Sequence, residues 1–112
     1  KKRRKYYYDK YNNDILLEIW SNVEDKKPGW VKYSQADYLC IMFADTKIFL
    51  MLDMYLIKLA WKKYDYIWLV KYKPILVKNR SYSGSEYTTE NRAIPKEELL
   101  EAMKECSLEP VK

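Results

Sequence analysis

Residues Met54 to Tyr72 carry the longest periodic pattern in the chain. Ile57, Ala60, Trp61, Tyr64, Ile67 and Trp68 fall on one stripe, while Lys58, Lys62, Lys63 and Lys71 decorate the rest. Apolar residues spaced by three and four positions return to the same side of an α-helix, so the pattern predicts a helix with one face to bury. Asp65 marks a point where it could divide in two. Pro74 ends it, because proline has no amide hydrogen to continue the ladder and its ring clashes with the preceding turn. The stripe Trp61, Tyr64 and Trp68 reads as core rather than as a ligand box.

The remaining apolar segments are short. Asp14 to Trp20, between the turn formers Asn12-Asn13 and Ser21-Asn22, predicts a strand buried over much of both faces. Asp25 to Gly29, with Pro28-Gly29, is a turn. Ser34 can cap a helix over Gln35 to Phe43, where Ala36, Leu39, Cys40 and Phe43 share the helical spacing. Lys47 to Asp53 reads as a second buried strand. Lys78 to Tyr87 is a polar, Ser-rich loop, and Thr88 to Ile94 a short, charged edge strand. Pro95 opens a final helix with Lys96-Glu97-Glu98, since proline at the first position and acids in the first turn suit a helix N-terminus. Strand and helix thus alternate, which predicts a small mixed sheet flanked by helices, an α/β fold forming a single domain over residues 1–112. A hydrophobic share of 48%, with 12 Tyr, 4 Trp and 2 Phe, supplies enough apolar area for one core.

The net charge of +5 is local. Residues 1–10 carry Lys1, Lys2, Arg3, Arg4, Lys5 and Lys10 against Asp9 alone, and residues 11–112 balance 15 basic against 15 acidic side chains. This arm, continued by Tyr6, Tyr7, Tyr8 and Tyr11, alternates cations for phosphates with flat rings for bases. A solvated end whose tyrosines pack on a neighbouring strand is the competing account. The absence of histidine excludes His-based metal sites, Ser-His-Asp triads and Cys-His dyads. Cys40 and Cys106 lack the spacing of a zinc site or a disulfide scaffold and read as reduced thiols of a cytoplasmic protein. The longest apolar stretch, Tyr38 to Leu52, is interrupted by Asp45 and Lys47 and is too short to span a bilayer. A first residue other than Met reads as a fragment or a processed chain.

Several residues invite a chemical reading. Asp14, Glu24 and Lys26 spell an acid followed at distance by Glu-x-Lys, a spacing that in metal-dependent nucleases holds a hard cation and positions the attacking water. Here the tripeptide sits in Glu24-Asp25-Lys26-Lys27-Pro28-Gly29, which reads as a solvated turn. Glu18, inside an apolar strand, is either a site residue or the polar face of a one-sided strand. Trp30, Lys32, Asp37 and Tyr38 could cluster where the turn meets the first helix. Ser83-Gly84-Ser85 has too little glycine for a phosphate loop.

Read together, Asp14-Ile-Leu-Leu-Glu18, Ser21-Asn22, Pro28-Gly29-Trp30, Ala36-Asp37-Tyr38-Leu39, Ala60-Trp61, Lys78-Asn79-Arg80-Ser81-Tyr82 and Ala93-Ile94-Pro95 with Glu97-Glu98-Leu99 resemble small phage and bacterial proteins similar to the PD-(D/E)XK nuclease superfamily. The resemblance runs from about Lys1 to Met103. It implies a restriction-endonuclease-like core fragment whose metal-binding carboxylates precede residue 1, with Lys1 or Lys2 as the catalytic lysine. It also implies Mg²⁺ as cofactor where the site is complete, and a DNA contact through Arg3, Arg4, Lys5 and Lys32 at the basic edge of the sheet. Lys1 to Lys5 would then form a strand beside Ile15 to Trp20. The 112-residue chain by itself is expected to be inactive. The runner-up is a non-enzymatic, phage-type binding protein for a host protein or nucleic acid. Partners compatible with these readings are DNA, a host protein and a second copy of the chain, and not a membrane.

Overall fold

Period-two alternation sets the first strand. The computed structural model describes residues 13–43 and 47–108. In β1 (Asp14–Asn22), Ile15, Leu17 and Ile19 are buried while the residues between them are only partly covered. This is the pattern of a strand with one face in a core, not the two-sided burial expected from its apolar composition. A turn leads to the short β2 (Lys27–Pro28), which pairs with the far end of β1 through Trp20 and Asn22. One helical turn, α1 (Trp30–Tyr33), follows and buries Val31. Next come the antiparallel hairpin strands β3 (Tyr38–Phe43) and β4 (Ile48–Asp53), then the long helix α2 (Met54–Lys71). The chain closes with β5 (Ile75–Arg80), β6 (Glu86–Pro95) and α3 (Lys96–Ser107).

Among the described residues the strands form two antiparallel sheets, one in the order β2-β1-β6-β5 and one made of β3 and β4. Ile15 faces Ile94 and Leu17 faces Arg92 across the β1–β6 ladder. Ile15, Leu17 and Ile94 join Val31, the inner hairpin residues Ile41, Phe43 and Leu52, the α2 residues Ile57, Ala60, Trp61 and Trp68, and Leu99, Ala102 and Met103 of α3 in one contiguous core. The architecture is a mixed α/β fold with antiparallel sheets and three helices among the described residues.

The long helix forms unbroken at Asp65 and buries Ile57, Ala60, Trp61 and Trp68 of its expected stripe, whereas Ile67 of that stripe is exposed. Asp53 caps it, its carboxylate accepting from the amides of Tyr55 (2.9 Å) and Leu56 (3.3 Å). Trp68 is 1% exposed, and Tyr64 stacks on it at 5.5 Å between ring centroids. Its C-terminal carbonyls are satisfied from the sheet. The buried Arg92 guanidinium donates to Leu69 O (2.9 Å) and Tyr72 O (2.6 Å), and its remaining nitrogens hold the Glu90 carboxylate (2.9 and 3.3 Å). The final helix begins after Pro95 with Glu97 and Glu98 in its first turn, as expected.

Further expectations are corrected. Lys47 to Asp53 is not a buried strand: in β4 Ile48, Phe49 and Met51 are exposed and only Leu52 is buried. Gln35 to Phe43 is not a helix. Ser34 Oγ accepts from Ala36 N at 3.2 Å in a local turn, and the residues beyond it pair as β3. A six-residue apolar run satisfies either period, and the ladder with β4 decides it. The loop over Lys78 to Tyr87 shrinks to Ser81–Ser85, because Ile75 to Arg80 forms β5; Gly84 supplies the φ of +86° that its turn requires. Thr88 to Ile94 is not an edge strand, since β6 lies between β1 and β5 and pairs on both sides. Its charges are absorbed by partners within the fold, as with Arg92 and Glu90. No helix among the described residues is long and apolar enough to cross a membrane.

Candidate nucleic-acid interface

The unit β1–β2–α1 is held by one close approach. Gly29 lies against the β1 backbone so tightly that a Cβ there would sit 2.2 Å from Glu18 O. Only glycine permits this contact, and it lets Gly29 N donate to Ile19 O at 2.8 Å. The first amide of α1, Trp30 N, donates to Glu18 Oε1 at 3.3 Å. Glu18 therefore serves the start of α1, a carboxylate at a helical N-terminus, and this accounts for an acid in an apolar strand.

The turn before β2 is equally defined. Asn22 and Asp25 exchange hydrogen bonds at 3.0 and 3.1 Å, and Lys26 takes a left-handed φ of 55°. Glu24 is occupied. Its two oxygens accept from Thr88 N and Thr88 Oγ1, each at 2.8 Å, and this hydroxyl bond, with the amide bond behind it, holds the carboxyl below its ordinary range. Asp14 stands at the opposite end of β1, about 25 Å away along the eight-residue rise to Asn22. Asp14 and Glu24 therefore do not meet at one cation. Among the described residues, no group of three or more metal-ligating side chains gathers.

What does gather is cationic and aromatic. The Lys32 ammonium lies over the Trp20 ring, 4.6 Å from its centroid. Tyr33, next along α1, is exposed, as are Lys26 and Lys27 on the turn that faces back across β1. Among the described residues, Lys26, Lys27 and Lys32 make no ion pair. Of the residues nominated for nucleic-acid contact, Lys32 is thus placed on a ring. Lys1, Lys2, Arg3, Arg4 and Lys5 lie outside the described residues, as does the strand expected over Lys1 to Lys5. Trp30, Lys32, Asp37 and Tyr38 have separate tasks: Trp30 N is bound by Glu18, Asp37 O accepts from Met54 N at 2.9 Å, and Tyr38 stands exposed on β3. Trp20, Lys26, Lys27 and Tyr33 were not foreseen as one surface. The available signal was the Pro28-Gly29 return, which folds Lys32 back onto the strand that carries Trp20.

One further feature bears on the site. Among the described residues, β6 is the only strand pairing with Ile15 to Glu18, because β2 reaches only Trp20 and Asn22. Comparison with protein-family models, curated proteins and solved structures finds no match to this chain.

Proposed function

We propose that the chain is a DNA-contacting protein related to PD-(D/E)XK nucleases, and that the β1–β2–α1 surface lies against the nucleic acid. The observation that carries this reading is the Lys32 ammonium set over Trp20 on the same unit as exposed Lys26 and Lys27, which make no ion pair among the described residues, and exposed Tyr33. Unpaired ammonium groups release counterions from phosphates, and rings give bases or sugars a flat surface to rest on. Supporting it, no described strand other than β6 pairs with Ile15 to Leu17, so a catalytic strand could add along that part of β1. A restriction-endonuclease-like core, with Lys1 or Lys2 as catalytic lysine and Arg3, Arg4 and Lys5 extending the basic edge, belongs to this proposal. So does Mg²⁺, which would be held by acids other than the pair Asp14 and Glu24.

The test has two arms. Titration of a labelled duplex by fluorescence anisotropy should show binding that weakens on Lys32→Glu and on Lys27→Glu but not on Lys104→Glu, a control at the end of α3. Equal affinity in all four proteins would remove the surface from consideration. In a plasmid-nicking assay with Mg²⁺ the 112-residue chain should leave the DNA intact. Cutting that disappears on Glu24→Ala would restore the Asp14, Glu24 and Lys26 motif as the metal site.

A further inference from the structure

The β5–β6 ribbon outruns the rest of its sheet. β1 pairs with β6 from Pro95 as far as Glu90, and the bond from Val23 N to Thr88 O at 2.8 Å follows. β5 and β6 pair on past this point through Asn79–Tyr87 and Arg80–Glu86. At about 3.4 Å per residue, Thr88 to Ser85 carries the ribbon about 10 Å beyond the β1–β2 turn. No third strand flanks it there among the described residues.

The tip has a fixed shape. Gly84 N donates to Ser81 O at 3.0 Å and Ser81 N to Ser85 O at 2.9 Å, with Gly84 at a φ of +86°. The hydroxyls of Ser81, Ser83 and Ser85 bond one another at 2.8 and 3.2 Å, and Tyr82 stands fully in water. From Lys71 to Ser85 the chain carries Lys71, Lys73, Lys78 and Arg80 and no acid. Leu76, Lys78 and Arg80 are exposed on one face of β5. The acids beside them on β6 are occupied, Glu86 by Arg80 Nη2 (3.1 Å) and Glu90 by Arg92 Nη2 (2.9 Å). This face is also that of Trp20, which stands opposite Glu90 as Glu90 stands opposite Leu76, and directly opposed residues share a face. Lys78 and Arg80 thus extend the Lys32–Trp20 surface about 13 Å along β5.

We infer that the β5–β6 ribbon enters the major groove of duplex DNA tip first, a conclusion that rests on the DNA reading of β1–β2–α1 and adds to it the form of the nucleic acid and the element that reads it. Arg80 and Tyr82 meet base edges, while Lys26, Lys27 and Lys32 hold the flanking phosphates. The dimensions select the groove. A major groove about 12 Å wide and about 8.5 Å deep admits a two-stranded ribbon, and this one projects about 10 Å; a minor groove about 6 Å wide is too narrow for it. The Arg80 guanidinium offers forked donors to guanine O6 and N7, and an exposed ion pair such as that with Glu86 yields readily to a base. The Tyr82 ring meets the thymine methyl groups that line the same groove.

Fluorescence anisotropy with two labelled duplexes of one sequence tests this, one plain and one whose cytosines carry glucosylated 5-hydroxymethyl groups that fill the major groove. The wild type should bind the filled duplex about tenfold more weakly, and Arg80→Ala and Tyr82→Ala should each weaken binding to the plain duplex by about tenfold. The double variant should bind both duplexes alike. Both side chains are exposed, so circular dichroism and melting temperature should match those of the wild type. Equal wild-type affinity for the two duplexes, or full affinity in both single variants, would overturn the inference. If Lys32→Glu still lost binding, the β1–β2–α1 surface would stand without the ribbon. A wild type that binds neither duplex would overturn both.

Discussion

The two ends of α2 treat apolar surface in opposite ways. At its C-terminus, where α3 begins, burial is accompanied by matched polar groups. Glu98 accepts from Trp68 Nε1 (3.3 Å), from Lys71 Nζ (3.3 Å) and from the Tyr72 hydroxyl, while Arg92 closes the last carbonyls of the helix. One turn earlier, Glu105 accepts from Tyr64 OH at 2.5 Å and pairs with Lys63 at 2.7 Å. At its N-terminus the hairpin exposes two aromatic rings and one methionine, Tyr38, Phe49 and Met51. The first end is tied down by polar contacts among the described residues, and the second leaves large apolar side chains exposed. A substitution should therefore register as lost folding stability at the first end and leave folding stability nearly unchanged at the second.

Trp68→Ala would disturb this contrast most. It empties a fully buried ring site and removes a donor to Glu98, so urea denaturation should show a loss of about 4 kcal/mol. Arg92→Ala should follow at about 3 kcal/mol, because it strands Glu90 and two helix carbonyls inside the fold. Gly29→Ala forces α1 off β1 and should cost about 2 kcal/mol. Unlike the first two, it should also weaken DNA binding, since Lys32 moves with α1. At the hairpin, Met51→Lys should change monomer stability by no more than about 0.5 kcal/mol.

Acid should separate the two ends as well. Burial alone would raise the Glu98 carboxyl, but the hydrogen bonds from Tyr72, Lys71 and Trp68 outweigh it and leave Glu98 below its ordinary range; Lys63 and then Tyr64 do the same for Glu105. A carboxylate whose folded pKa lies below its unfolded one contributes stability that is fully present above the unfolded value and is lost as pH falls through the folded one. Thermal melts should accordingly be steady near neutrality and decline in acid below the ordinary carboxylate range. Glu98→Gln and Glu105→Gln should each flatten that decline, and Met51→Lys should leave it unchanged.

The long helix, its stripe and the Pro95 start of α3 were legible because period and terminal residues agreed over many positions. β1 was legible in extent but not in its faces, since Leu16 and Trp20 are apolar yet only half-buried. The hairpin strand β3 was not legible, because Leu39, Ile41 and Phe43 satisfy a strand while Ala36, Leu39, Cys40 and Phe43 satisfy a helix, and only pairing with β4 separates them. β5 was hidden by Lys78, Asn79 and Arg80, three polar residues in a row of which Asn79 is partly covered and its neighbours exposed. Of the candidate site, Lys32 was visible as a charge beside a turn. Its seat on Trp20, and the occupation of Glu18 by Trp30 and of Glu24 by Thr88, follow from contacts between residues far apart in the chain, which no local pattern records.

The claim on which the functional reading rests is that phosphates are met by the ammonium groups of β1–β2–α1. The most direct measurement is the slope of log affinity against log salt for a DNA duplex, taken for the wild type and for Lys32→Ala. Each lysine neutralising a phosphate adds about one unit to that slope, so the variant should bind more weakly on every sequence with a slope lower by about one. An identical slope in the two proteins, or no salt-dependent binding by either, would contradict the account.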